Sequence, residues 1–431
     1  MLSNKMPPPM IIILAILLLI TSINSSHASI EKLLNSVADI KQRITNDAIN
    51  WEQLIKDANA NGANIYLVDS FSELKERSDN AQPGDIIRIK NGTYKGWEPR
   101  ITTSGTKDKP IIYTAETPGR VIFKDDARIR ITGQHNIVGG FVFEDVKTGN
   151  IIDLVGASNN RVTDNKFYNC GKSPKARIIA VADGSHHNRI DHNLMDNNQA
   201  FGMVITLSSR VAVSQYNRFD HNTFQEIHSD SIFEKVALQI GQDGSKRNLD
   251  YSTYTLVDNN QFLNVKSNNI NSKSNYEYYI DNFFSNSSDL IVLSLRAGNH
   301  KYVEGNYFSN THTAIRVTGS HHAILNNIII NASGVGIAIP CWGWVEKPDG
   351  NPPAYYRESR DIIVSNNLIH TQNIGVEIGK KRGYPTQGLQ YADNPPARTV
   401  VVNNILIGKS ENLYDLRSSI DSQFKNNHLI Q

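Results

Sequence analysis

The chain is poor in three things, and each shortage narrows what it can be. Only two of its 431 residues are cysteines, Cys170 and Cys341, so no framework of disulfides supports the fold. Net charge is almost absent, since 44 Lys and Arg face 42 Asp and Glu and leave a formal +2. No global basic field therefore draws in a nucleic acid, and an anionic ligand has to be held by a local patch. Long apolar runs are missing as well. The run from Met10 to Ile20 has eleven residues, about half of what a membrane-spanning helix needs.

That short run has its own meaning. Lys5 precedes it and Ser26-His27-Ala28 follows as a small-residue cleavage site. Together they predict a secretory signal peptide over residues 1–28, and a secreted or periplasmic chain with no membrane attachment after cleavage.

What the sequence does have is repetition. Ten asparagines, Asn165, Asn193, Asn222, Asn260, Asn282, Asn306, Asn327, Asn367, Asn404 and Asn427, each follow a short apolar run. The surroundings recur too, as in Val162-Thr-Asp-Asn165, Ile190-Asp-His-Asn193 and Phe219-Asp-His-Asn222. The shortest spacings are 21 to 24 residues and the longer ones 28 to 40, the signature of a solenoid with insertions. Its unit is strand-rich, so the expectation is an all-β, right-handed, single-stranded parallel β-helix with an N-terminal helical cap. Turn asparagines stacked on successive rungs would bond one another, a structural role. Cys170 and Cys341 fall on rungs too far apart for a bridge and are expected as two buried, unbridged thiols.

Residues 29–61 read as helical: Leu33, Leu34, Val37, Ile40 and Ile44 recur at helical spacing, and Trp51, Leu54 and Ile55 continue it. This segment should pack over or beside the first coil. The β-helix itself is expected over 62–431. Ile65 to Val68 is a strand, and Ser70 with Glu73 forms a capping box for a helix from Phe71 to Asn80 that would plug the open end. Two insertions stand out, Asp243 to Tyr254 and Cys341 to Arg360. The second holds Trp342, Trp344, Tyr355 and Tyr356, aromatics suited to stacking on sugar rings at the wall of a groove.

Three cations sit at similar places on consecutive rungs: Lys273, Arg296 and Arg316 lie nine, ten and eleven residues before their ladder asparagines. Strand alternation places Ile291, Leu293 and Leu295 inward and Val292, Ser294 and Arg296 outward, and likewise Arg316 outward between Ile315 and Val317. The expectation is a column of three stacked cations on one sheet face. Like charges so placed repel, and an acidic polymer lying across the sheet would explain them. Lys235 and Gln239, one rung earlier, would line one side of the same groove.

The flanking stretches Asn271-Ser-Lys273-Ser, Leu293-Ser-Leu-Arg296-Ala-Gly298, Val303-Glu-Gly-Asn-Tyr-Phe308 and Ala314-Ile-Arg316-Val-Thr-Gly319 resemble polysaccharide lyase family six, the family of alginate lyases and chondroitinase B. Pro83-Gly84-Asp85, Asn91-Gly92-Thr-Tyr94, Lys109-Pro110-Ile111 and Ala115-Glu116-Thr-Pro118-Gly119 look like its opening coils, and Asn394-Pro-Pro396 before Asn403-Asn404 like its end. The resemblance covers roughly residues 62 to 431. It implies cleavage of a uronic-acid polymer by β-elimination, with Lys273 as base, Arg296 stabilising the leaving group and Arg316 holding a neighbouring uronate. A lysine among cations and partly desolvated is expected to release its proton more readily.

The sequence departs from the family in two places. Many members bind calcium through carboxylates seven and five residues before the base, where this chain has Lys266 and Asn268. Calcium needs six to eight oxygen ligands, usually with several carboxylates. The expectation is an enzyme with no metal cofactor, in which Lys266 and Asn268, on one strand face, replace the ion. Because Lys266 and Lys273 have opposite strand parity, a bend around Asn269 to Asn271 is required. Ala297 stands where many members have histidine. Alginate is the expected substrate and a monomer the expected state. Dermatan sulfate remains open, with Lys347, Arg357, Lys380, Lys381 and Arg382 as loop cations that could serve it. A non-catalytic carbohydrate-binding β-helix and a hydrolase are the other classes. The latter needs paired carboxylates, and neither Asp289 nor Glu304 is obviously placed for that.

Overall fold

The structure, a computed structural model, describes residues 37, 40–42, 44 and 47–430, except 148, 173–175, 201, 208–211, 228–235, 242–250, 288–290, 342–357, 382–393 and 409–412. The signal peptide, Lys235, Trp342, Trp344, Tyr355 and Tyr356 lie outside the described residues. Among the described residues no helix is long and apolar enough to cross a membrane.

The chain winds through three parallel sheets of 14, 13 and 12 strands, called here the first, second and third. One turn runs from Arg161–Thr163 in the first sheet through Lys166–Tyr168 in the second to Arg177–Ala182 in the third. Within each sheet a strand pairs with the strands one turn before and after it, as Arg161 does with Ile137 and Arg189. This is the expected right-handed parallel β-helix.

Local chemistry sets the corners. Between the first and second sheets most strands are followed by a residue at positive φ, among them Asp164, His192, His221, Asn259, Asp281 and Asn326. Asn, Asp and His tolerate that conformation best among non-glycine residues. The ladder asparagine comes next. All ten stand in one column, each Nδ2 donating to the Oδ1 of the next at 2.9–3.1 Å. Inside, phenylalanines stack in register, with Phe224, Phe262, Phe284 and Phe308 at 4.6–4.8 Å between ring centroids.

A second column marks the corner between the third and first sheets. Its left-handed positions include His187, Tyr216, Tyr254, Tyr276, His300 and His321, whose rings stack at 4.6–5.0 Å. The residue after each lies just before or within a first-sheet strand and is buried. On the earlier rungs these are asparagines, Asn136, Asn160, Asn188 and Asn217, joined by side-chain bonds of 3.1–3.2 Å.

Cys170 and Cys341 are both buried and form no disulfide. The N-terminal plug is as expected: α1 spans Trp51–Ala60 and α2 spans Phe71–Asn80, with Ser70 accepting from Glu73 N and Leu74 buried against the first rungs. The helical reading of the segment before it is met at Val37, Ile40 and Lys41 and in α1, but not throughout. Asn50 caps α1 by accepting from Gln53 N, and residues 47–50 are not helical. Nor does the segment stay at the first coil. Trp51 packs on Ile86 and Ile112 and donates to Asp164 at 2.9 Å. Asp47 meets Arg189, and Lys41 meets Glu304 far down the helix. Val37 and Ile40 pack there on Leu256, Tyr278, Tyr302 and Leu325. The segment is a strap along the outer face of the first sheet. That face carries apolar side chains, and covering them removes apolar surface from water.

Candidate active site

The outer face of the third sheet holds the sequence-predicted cations. Strand register aligns Asp153, Ala180, Ile205, Gln239, Asn271, Ser294, Arg316, Ala338 and Glu377 in one column. The two end carboxylates are engaged, Asp153 by Arg130 at 3.0 Å and Glu377 by Lys380 at 3.1 Å. From Ala180 to Ala338 the column itself contains no carboxylate.

Lys273 lies one residue beyond the paired Ser272 and Leu295, which sets it beside Arg296 on the next rung. It is only 4% exposed, and its Nζ donates to Gln239 Oε1 at 3.2 Å. The side chain reaches that position past Gly241, where a Cβ would stand 2.2 Å from Ser274 Oγ and 3.5 Å from Lys273 Cβ. Gln239 in turn donates to Gly241 O at 2.9 Å. Arg316 donates to Ser294 Oγ at 2.7 Å. Asn271, between them in the column, has a buried Oδ1 that meets no donor among the described residues.

Three expectations are corrected here. The cations do not form one column: Arg316 pairs with Ser294, two residues before Arg296. The corner after Arg296 is one residue longer than the corners beside it, so distance from the ladder asparagine misjudges the register. Next, Val292 is buried in the core, while Ile291 is half-exposed. Val292 and Leu293, like Ala314 and Ile315, are consecutive core residues, so alternation breaks where the third-sheet strand begins. The same break falls at Asn269 and Ile270, both fully buried, and it supplies the bend that the parities of Lys266 and Lys273 demand. Finally, Lys266 does not share a strand face with Asn268. The strand begins at Asn268, and Lys266 stands exposed before it. There it lines a polar cavity of about 560 Å³ with Asn264, Asn286, Asn310, His312 and Asn331.

Sequence reasoning missed what lies behind the cations. Glu277 and Lys301 are fully buried inside the coil, 3.6 Å apart. Glu277 accepts from Ser274 N at 2.7 Å, from Tyr279 OH at 2.6 Å and from Ser272 Oγ. Lys301 Nζ donates to Ser272 Oγ and to Ala297 O. His322, also buried, accepts from Lys301 N at 3.1 Å. Burial lowers the Lys301 ammonium pKa to about 8, against the pull of Glu277. Burial, then the Lys301 charge, holds His322 well below its usual value.

Could these residues hold the calcium that the sequence resemblance implies? Lys266 and Asn268 offer one neutral oxygen and one ammonium, and the adjoining column offers amides and a hydroxyl. That donor set does not fit a calcium ion. Among the described residues one carboxylate-histidine group lies elsewhere, Asp220, His221 and Asp258, with ligand atoms within 4.8 Å of one another. It lies on the first sheet, and arginines already hold both acids, Arg189 on Asp220 at 2.7 Å and Arg218 on Asp258 at 2.8 Å.

The sequence matches the family model described as Chondroitinase B over residues 68–430. The chain belongs to that family of polysaccharide lyases. Among solved structures, it resembles a family 6 polysaccharide lyase from Pseudopedobacter saltans, with TM-score 0.73, 19% identity, and coverage of 85% of this chain and 92% of that one. A mannuronic-acid-specific family 6 lyase from human gut microbiota gives TM-score 0.71 and 22% identity over 83% of each chain. A family 6 alginate lyase gives TM-score 0.72 and 24% identity over 85% of this chain and 51% of that one. Comparison with curated proteins gives no match. The family's fold therefore extends over the described coils, from the α2 plug to the last rung.

Proposed function

We propose that this lyase cleaves alginate by β-elimination and does so without bound calcium. The observation that carries the reading is the placement of buried Lys273 next to Arg296 on the following rung, beside a column of Gln239, Asn271, Ser294 and Arg316. Lys273 takes the C5 proton of a uronate. The C5–H electrons form the C4–C5 double bond, and the C4–O glycosidic bond breaks. The departing oxygen takes a proton from water while the Arg296 charge stabilises it; a guanidinium is a poor literal acid. A lysine 4% exposed is in the setting where desolvation favours the neutral amine that a base requires.

The C5 proton is acidic only when the adjacent carboxylate is neutralised. Arg296 and Arg316 supply that charge, Arg316 also holding a neighbouring uronate by bidentate contact. Asn271 adds an amide, and Lys266 with Asn268 serves the groove's edge. The relatives described as alginate and mannuronic-acid lyases support alginate over a sulfated polymer. So does Lys380, one of the cations a sulfate would use, which is tied to Glu377. Glu304, considered for a hydrolase pair, sits on the first sheet with Lys41 and Tyr302.

Ultraviolet absorbance tests this directly, because elimination leaves a conjugated double bond. The signal should rise on alginate, persist with a calcium chelator and stay flat on dermatan sulfate. A rise on dermatan sulfate alone would reverse the substrate. Loss with chelator, restored by calcium, would end the metal-free mechanism.

A further inference from the structure

The inward column at the corner between the third and first sheets changes composition along the helix. Asn136, Asn160, Asn188 and Asn217 form a plain amide ladder. Register continues that column through Thr255, Glu277, Lys301 and His322 and then to Ile362. Charge thus enters the interior at the rungs of Lys273 and Arg296 and leaves again beyond them. A solenoid interior needs no ion pair for packing, and burying one is costly unless every polar atom is matched.

The contacts show what the pair holds. Glu277 grips the backbone N–H of Ser274, the residue after Lys273, and the hydroxyl of Ser272, the residue before it. Lys301 grips the same Ser272 hydroxyl and the carbonyl of Ala297, the residue after Arg296. Each end of the pair therefore fixes backbone beside one of the two cations, and Ser272 joins both ends. Tyr279 and His322 complete the set.

We propose that Glu277 and Lys301 form a positioning clamp that sets the spacing between Lys273 and Arg296 from inside the coil, without touching substrate. The proposal rests on the lyase reading above. Misplacing a reacting group by about 1 Å can cost on the order of 10²-fold in rate, so the clamp acts on kcat rather than on binding.

The test replaces the pair by the ladder's own residue, Glu277→Asn with Lys301→Asn, and separately by Glu277→Gln with Lys301→Met. Both doubles remove the charges together and leave no lone buried ion. They are expected to melt cooperatively, with kcat on alginate down on the order of 10²-fold and KM nearly unchanged. The single Glu277→Gln, which keeps the Lys301 grip on Ser272 and Ala297 O, should recover part of that loss. Amide exchange at Ser274 should quicken in the doubles. Either double folding with the parental kcat overturns the clamp. If neither double folds, an unchanged kcat in Glu277→Gln overturns it and a loss without a change in KM sustains it. A parent inactive on every uronate polymer would sink the lyase reading instead, and unaltered exchange at Ser274 would then sink the clamp as well.

Discussion

Two faces of this β-helix carry rows of arginine and lysine, and they treat the charge in opposite ways. On the first sheet Arg161, Arg189 and Arg218 each reach an aspartate one rung on, Asp191, Asp220 and Asp258, and His192 and His221 lean on the same acids. Burial pushes the Asp191 carboxyl up, but hydrogen bonds from His192 and Arg161 outweigh it and leave the pKa below its usual value. On the third sheet the column carrying Arg316 has no acid of its own between Ala180 and Ala338. Cations matched rung by rung cement a solenoid. Cations set above amides and hydroxyls suit an anion brought from outside.

That contrast can be broken by substitution. The largest effect should come from Lys273→Ala, which removes the base: the rate of double-bond formation should fall about 10²- to 10⁴-fold, with the protein still folded by circular dichroism. Arg218→Ala on the opposite face should do the reverse. It takes the guanidinium from Asp258, which is buried on the outer face with the Asn259 amide at 3.0 Å, and should cost roughly 3–5 kcal/mol in urea unfolding, while the rate on alginate at ambient temperature stays near the parent's. A smaller loss, about 1–3 kcal/mol, is expected for Asn282→Ala, because Asn260 then loses its acceptor for both backbone N–H and Nδ2.

A pH series sharpens the comparison further. The folded Lys301 pKa is about 8, against 10.5 for the ordinary group. Between those values the unfolded chain binds more protons than the folded one, so the Lys301 contribution to stability rises with pH across that window. Lys301→Met with Glu277→Gln should flatten that rise in melts compared with the parent from pH 8 upward, and an identical slope would contradict the buried placement. The smallest expected change is none: a chelator should leave the rate on alginate as it was.

Much of this architecture could be read from the chain, and the reason is the turn chemistry. An asparagine after a left-handed residue repeats because the corner has one good solution, so the asparagine that follows each short apolar run located all ten ladder positions. That Lys273 and Arg296 fall on consecutive rungs was legible through motif. Arg316 was misplaced because a corner one residue longer shifts the register without changing the local pattern. Glu277 and Lys301 escaped altogether. In Tyr276-Glu277 and His300-Lys301 each charged residue follows an aromatic at positive φ, which turns the next side chain inward, and a charge in that position reads from sequence as surface. Lys266 was set on the wrong face for a related reason, since the strand starts two residues later than its polarity suggests.

The N-terminal strap changes how such a molecule comes together. A solenoid normally assembles by neighbours, one rung templating the next. Here Asp47 closes on Arg189, 142 residues later, and Lys41 on Glu304 farther still. The segment made before any rung must therefore wait until most rungs exist before it finds its seat. Contacts so distant in sequence are slow to form, and they tie the early and late coils into one cooperative body. Refolding should then end in a late, slow step of strap closure that a chain starting at Ile65 would lack.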